Sequence, residues 1–404
     1  KNTSTKWQFK ARFRRHAFGW RSQPAIKRIK EAVSEIKKTA RKDKIHAAEG
    51  AVQFLERVSP ALEHVDSSSG AIGTAVNNAV AALVPIIADA PVDAKTRDAW
   101  LERLFEAYQD DPIPYIEHLG DYWGELCASQ ELASEWANRL IDTCRRAWGP
   151  DPELRGFFKG TTVCLSALLE AERYQEILDL LDMKPANIWH YRQYGVKALA
   201  AMGQKAEAIS YAEESGLNDG PFAIAQACED VLLSSGMVDE AYRRYGLRAN
   251  QAGTYLAWFR AVQKKYPHKL PAEIISDLAG ETPGQEGKWF AAAKSVGLFD
   301  EAIALAKQSP GTPQTLTRAA RDHAQKNPGF ALKAGLLALH WLVQGYGYEI
   351  TSVDVLDAFT HTMKAAEESG KTEETLQRIR ELVAAETFGE QFVTKILGPR
   401  LGIS

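Results

Sequence analysis

Four segments of this 404-residue chain are spaced as copies of one unit. They read Ala171-Glu-Arg-Tyr-Gln-Glu-Ile177, Gly203-Gln-Lys-Ala-Glu-Ala-Ile209, Gly236-Met-Val-Asp-Glu-Ala-Tyr242 and Gly297-Leu-Phe-Asp-Glu-Ala-Ile303. Their starts lie 32, 33 and 61 residues apart, and a degenerate copy at 268–274 fills the double gap. A period of roughly 30–35 residues holds two helices and a turn, and such a pair buries its apolar face only against a neighbouring pair. The expectation is an all-α chain, an α-solenoid of antiparallel helix pairs.

The residues within the unit support this. Gly203, Gly236 and Gly297 each follow an apolar-periodic run, where glycine supplies the left-handed conformation that ends a helix. The acids that follow, Asp239 and Asp300, suit the start of the next helix as caps and as charges at the positive end of its dipole. Ala208/Ala212 and Ala302/Ala306 stand one turn apart and permit close helix approach. These segments resemble tetratricopeptide-like repeats, a superhelix also like that of HEAT repeats. They lack the full aromatic and terminal-proline pattern of the former, so the resemblance is to the architecture.

Charge is unevenly placed. Residues 1–44 carry 15 Lys and Arg against Glu31, Glu35 and Asp43, a net of +12, while the remainder carries 34 basic and 49 acidic residues, a net of −15. Such a split points to an anionic partner or to pairing within the chain. In the leading segment Trp7, Phe9, Phe13, Phe18 and Trp20 alternate with Lys6, Lys10, Arg12, Arg14, Arg15 and Arg21. Arginines and rings together suit phosphates and bases, which makes Lys10, Arg12, Arg14, Arg15, Trp20 and Arg21 a candidate nucleic-acid surface. The alternative is that the rings pack on the body while the basic heads reach water, and the same segment allows both.

The chain reads as four regions: a basic aromatic leading segment (1–24), an N-terminal helical region (25–148), repeats (153–309) and a C-terminal helical cap (310–404). Gly149-Pro150-Asp151-Pro152 is the clearest linker, and Pro310-Gly311 is another break. In the second region helices are expected at 24–40, 45–58, 71–87, 93–108, 115–127 and 131–148, and in the last at 314–325, 328–344, 352–368, 372–386 and 388–397. The densest apolar run, 81–88, is interrupted by Pro85 and is shorter than the roughly 20 residues a membrane helix needs. No signal-peptide core follows the basic N-terminus, and the chain opens at Lys1 without a methionine, as a fragment or processed form would. Cys127, Cys144, Cys164 and Cys228 form no close zinc-type pair, so buried free thiols of a cytoplasmic protein are expected.

Residues 55–84, above all Asp66-Ser-Ser-Ser-Gly70, resemble an uncharacterised bacterial family of α-helical repeat proteins, and the likeness extends to 288–322 and to Gly345-Tyr-Gly-Tyr-Glu-Ile350. The resemblance implies a helical repeat fold and brings no activity with it.

Two clusters hold enough polar chemistry to consider catalysis. Glu117, Asp121 and Glu125 would share a face if 115–127 were one helix, and with His118 could hold a hard cation or move protons. A solvated acidic stripe is the plainer reading. Arg318 and Arg321 with His323 resemble the arginine–histidine spacing of helical ribonucleases of the HEPN group, although Ala319 stands where that pattern wants a polar residue. No phosphate-cradling loop, dinucleotide fingerprint or nucleophile elbow occurs, and no metal or cofactor is expected. In the repeats, most aromatics should be core. Trp189, His190, Tyr191 and Arg192 are adjacent on a helix and must point several ways, so Trp189, Tyr191 and Arg192 become candidate partner-binding residues. The leading functional expectation is a non-catalytic scaffold that takes a peptide or protein on a concave face. The alternatives are a nucleic-acid-binding module and a metal-dependent or HEPN-like nuclease.

Overall fold

The computed structural model describes residues 6–183, 187–215 and 220–403, and among them every regular element is helical. The chain divides into two compact units, 1–231 and 232–404. The cut falls inside a helix, away from the Gly149–Pro152 and Pro310–Gly311 breaks. The 149–160 loop joins two helices that pack on each other.

The first unit runs α1 (Phe9–Arg12), α2 (Ser22–Ala40), α3 (Lys44–Ala61), α4 (Ala71–Ala88), α5 (Ala94–Gln109), a 3-10 turn (Glu117–Gly120), α6 (Trp123–Cys127), α7 (Gln130–Ala147), α8 (Thr161–Glu170), α9 (Tyr174–Met183), α10 (Trp189–Ala201), α11 (Lys205–Glu213) and α12 (Pro221–Ser234), which crosses the cut. Side-chain caps start several of these. Asp43 accepts from His46 N–H at 3.0 Å, Asp93 from Thr96 N–H at 2.8 Å and Ser129 from Leu132 N–H at 3.2 Å. Each such cap contributes about 1 kcal/mol.

Helices α2, α3 and α4 pack on one another. Helix α4 carries no charged side chain and has a mean hydropathy of 1.7 over 18 residues. The sequence thus holds a longer apolar run than 81–88, long enough by length and composition to cross a membrane. In the fold its Ile72, Val76, Val80, Leu83, Val84 and Ile87 are fully buried, as a core helix requires. Its C-terminal carbonyls are gathered by Arg97 of α5, a buried guanidinium that donates to Ile87, Ala88 and Ala90 and to Leu126 of α6. Unpaired polar groups at a buried helix end are costly, and one planar fork satisfies four of them.

The second unit runs α13 (Val238–Ala241), a π turn (Tyr242–Gly246), α14 (Leu247–Ala249), α15 (Tyr255–Lys265), α16 (Pro271–Glu281), a 3-10 turn (Glu286–Trp289), α17 (Phe290–Ser295), α18 (Phe299–Gln308), α19 (Pro313–His323), α20 (Pro328–Val343), α21 (Ser352–Glu368), α22 (Thr372–Ala384) and α23 (Phe392–Leu401). Trp258, Phe259, Trp289 and Phe290 are core, as the sequence led us to expect, with Tyr255 edge-on to Trp289 at 4.7 Å. A buried carboxylate mirrors Arg97 here: Glu386 accepts from Val393 N–H, Thr394 N–H and Thr394 Oγ1 at the start of α23.

One turn recurs. Gly203, Gly236 and Gly297 all have positive φ, and the amide after each donates to the carbonyl five residues back, Gln204 to Leu199, Met237 to Leu232 and Leu298 to Ala293. Gly345 and Gly370 do the same. At the first copy the left-handed residue is Glu172 and Arg173 donates to Leu168, which moves that copy by one residue. This is the Schellman arrangement. The 268–274 segment instead links α15 to α16 with Pro271 at the first position of the helix. Asp239 and Asp300 lie in the first turns of α13 and α18 but make no side-chain cap, so what they add to the helix start comes through the dipole, and Asp239 also faces His268 Nε2 at 3.4 Å.

Candidate nucleic-acid interface

The leading segment does two things at once. Its rings face inward: Trp7, Phe9 and Phe13 are buried, and Phe13 meets Phe54 of α3 and Phe18 edge-on at 5.2 and 5.5 Å. The Trp7 indole lies close against α3 at Gly50, where a Cβ would clash with its ring, and it stacks on His46 at 4.6 Å. Only glycine leaves room for that approach. The backbone is tied down as well. Glu35 of α2 accepts from Gln8 N–H at 2.8 Å and Phe9 N–H at 3.2 Å, His16 N–H donates to Pro60 O, and Asp66 N–H donates to Trp20 O at 2.9 Å. The Asp66-Ser-Ser-Ser-Gly70 turn thereby anchors the far end of the arm.

Its cations face outward. Lys10, Arg14, Arg15 and Arg21 are exposed, Arg12 pairs with Glu31 at 2.8 Å, and Trp20 is 71% exposed. Beside the arm, α2 and the α2–α3 turn form a groove of about 1100 Å³ that includes Lys6, Lys38, Arg41, Lys42 and Trp100 in its walls. A second concavity of about 590 Å³ follows α2, with Arg12, Arg28, Lys30 and again Lys38.

The charges in these walls are not equivalent. Every acid is already engaged. Glu35 holds the arm. Asp43 caps α3. Glu31 takes both Arg12 and Arg28, and the Arg28 bond above all holds it below the usual carboxylate range. Glu49 is half-buried, which pushes it up, but bonds from Arg103, Gln53 and Trp100 outweigh burial and leave it low. By contrast, Lys6, Lys38, Arg41 and Lys42 have no carboxylate within ion-pair distance among the described residues. The walls therefore present four cations that have no direct ion-pair partner. Lys6, Lys38, Arg41 and Lys42 were not singled out as site residues by sequence; the +12 excess over 1–44 is the signal that contained them.

The other candidates are placed differently. Trp189, Tyr191 and Arg192, expected to offer a partner face, are largely spent inside the first unit. Trp189 is 9% exposed, Tyr191 lies edge-on to Trp148 at 5.1 Å, and the Arg192 side chain is 12% exposed. Its guanidinium stacks on Tyr211 at 3.6 Å and donates to Tyr211 O and Ser215 Oγ. The reason is local: α11 ends there, and its free carbonyls and negative dipole end attract a cation.

The expected 115–127 helix is broken into the 3-10 turn and α6, so Glu117, Asp121 and Glu125 do not share a face. Asp121 turns inward, accepting from Tyr194 Oη at 2.5 Å and facing His118 Nδ1 at 3.5 Å. Burial pushes Asp121 up, but the bonds from His118 and Tyr194 hold it below the usual carboxylate range, and His118 is raised in turn by Asp121. No group of three metal-ligating side chains occurs among the described residues. In α19, Arg318 donates to Thr315, Arg321 pairs with Asp322, and His323 is edge-on to Phe299 and Phe330. Burial lowers the His323 pKa, and Lys294 lowers it further. That imidazole is seated in an aromatic seam. All four cysteines are buried.

No protein-family model matches this chain, and no curated protein is detectably similar to it.

Proposed function

We propose that the basic face of the first unit binds nucleic acid and that the protein is a non-catalytic binding module. The observation that carries this reading is the asymmetry of the groove, with every acid bonded internally and Lys6, Lys38, Arg41 and Lys42 left for a ligand. Exposed lysines and arginines without partners gain most from a phosphate backbone, because binding releases its condensed counterions. The test compares the full chain with a Lys38→Glu/Arg41→Glu/Lys42→Glu variant against a labelled mixed-sequence nucleic acid across a salt series. The native chain should lose affinity steeply with salt, and the variant should lose most binding, its log–log slope falling by roughly 0.7–0.9 for each contact removed. Salt-independent binding, or an unchanged variant, sinks the reading. Deleting residues 1–22 is a poorer test, since it removes Trp7, Phe9 and Phe13 from the core.

A second reading is the protein-interaction scaffold, in which the recurring Schellman turns join helix pairs of a tetratricopeptide-like solenoid. It is favoured by the exposed rings of the second unit, Tyr346, Tyr348 and Phe388, with Tyr348 at 83%. Phe388 packs on Gly345, so the 345–350 loop is held. Under this reading a Tyr346→Ala/Tyr348→Ala variant recovers less of a cross-linked protein partner with no change in Tm, and equal recovery rejects it.

A further inference from the structure

Resting on the nucleic-acid reading, we propose that this interface takes unpaired, single-stranded nucleic acid, with the Trp20 indole as the platform on which one base stacks. Of the rings in the leading segment, Trp7, Phe9 and Phe13 are core, and Phe18 packs edge-on to Phe13. Trp20 alone is set in solvent. It is not a frayed end. Its carbonyl is held by Asp66 N–H at 2.9 Å, and Asp66 is itself fixed by Ser68 N–H at 3.0 Å, while His16 four residues earlier is bonded to Pro60 O and to Glu63. No ring or cation of the described residues stacks on Trp20. A large apolar ring fixed in place and left uncovered is poised for a flat apolar ligand.

Its surroundings say which one. Arg21 is adjacent and Arg14 and Arg15 lie a turn of chain away, all exposed and without carboxylate partners. From Trp20 the 19-residue α2 leads, over about 28 Å, to Arg41 and Lys42. The concavity along α2 is lined by Lys30 and Lys38, by Arg12 and Arg28, which share Glu31, and by Glu35. A ring followed by a concave row of cations matches a flexible chain of bases and phosphates. A duplex keeps its base faces stacked inside, so Trp20 would find no free face along it. Because every base has a π-face, the contact should tolerate any sequence.

The experiment measures anisotropy of a labelled, non-self-pairing single strand and of its duplex with the full chain at low salt. The single strand should bind roughly tenfold more tightly than the duplex. Trp20→Ala should weaken single-strand binding by roughly tenfold, bringing it to the duplex value, and Trp20→Phe should keep most of the preference. An unchanged Tm for Trp20→Ala shows that the fold survives, as expected for an exposed ring. Equal affinities for the two forms, or a preference that persists in Trp20→Ala, overturn the inference while leaving salt-dependent binding in place. Failure to bind either form removes the nucleic-acid reading itself.

Discussion

Residues 7–21 and residues 189–192 are built from the same ingredients, aromatic rings beside arginines, and the molecule spends them in opposite ways. In the arm Trp7, Phe9 and Phe13 go in, while Trp20 and most of the cations stay out. At 189–192 ring and cation both go in, with Arg192 flat on Tyr211 and bonded to the end of α11. The difference lies in what each segment meets. The arm lies on α2 and α3, whose Phe54 and Gly50 offer apolar slots and whose Glu35 is used up on backbone amides. The second segment meets a helix C-terminus, where unpaired carbonyls accept five-donor guanidinium readily. Aromatic and basic composition therefore marks a segment as adhesive, and the neighbour decides whether the adhesion is spent inside.

That contrast can be broken by three variants. The largest effect on stability is expected from Phe13→Ala, which empties a fully enclosed ring site. It should cost about 3–5 kcal/mol in urea unfolding and expose the arm to protease. A loss under about 1 kcal/mol would mean that the arm is not part of the core. Arg192→Ala should cost less, about 1–3 kcal/mol, through the lost stacking and the unpaired carbonyl, with nucleic-acid binding intact. If that variant kept full stability and lost a protein partner, the partner-face expectation for 189–192 would stand and the contrast would fail. The Lys38/Arg41/Lys42 charge reversal should cost about 1 kcal/mol in folding, through the α2 dipole alone, although its effect on binding is the most severe.

Much of the fold was legible. The 3.6-residue periodicity of α2 and the helix-ending glycines are local signals, and the helices they predict end within a few residues of those seen. Errors arose where a tertiary contact competes with local pattern. Residues 115–127 carry helical spacing, yet Gly120 must pass close to Tyr108 and Thr162, and the segment tightens and breaks there. Glu172 adopts a left-handed conformation that the sequence would assign to glycine. The split at 231/232 lies in mid-helix, where no proline or glycine announces it.

For the candidate site, sequence alone determined that the first 44 residues carry the positive charge and that rings and arginines are interleaved among them. It also determined, through periodicity and turn glycines, that the chain is helical. Tertiary structure decided which charges remain available. Glu31, Glu35, Asp43 and Glu49 look like neutralising partners in a linear count, but folding engages each in a bond inside the protein and leaves Lys6, Lys38, Arg41 and Lys42 without one. It also decided that Trp7 is core and Trp20 is surface. Whether a ring is buried depends on a slot formed by residues distant in sequence, here Gly50 and His46 for Trp7, and no slot is built for Trp20.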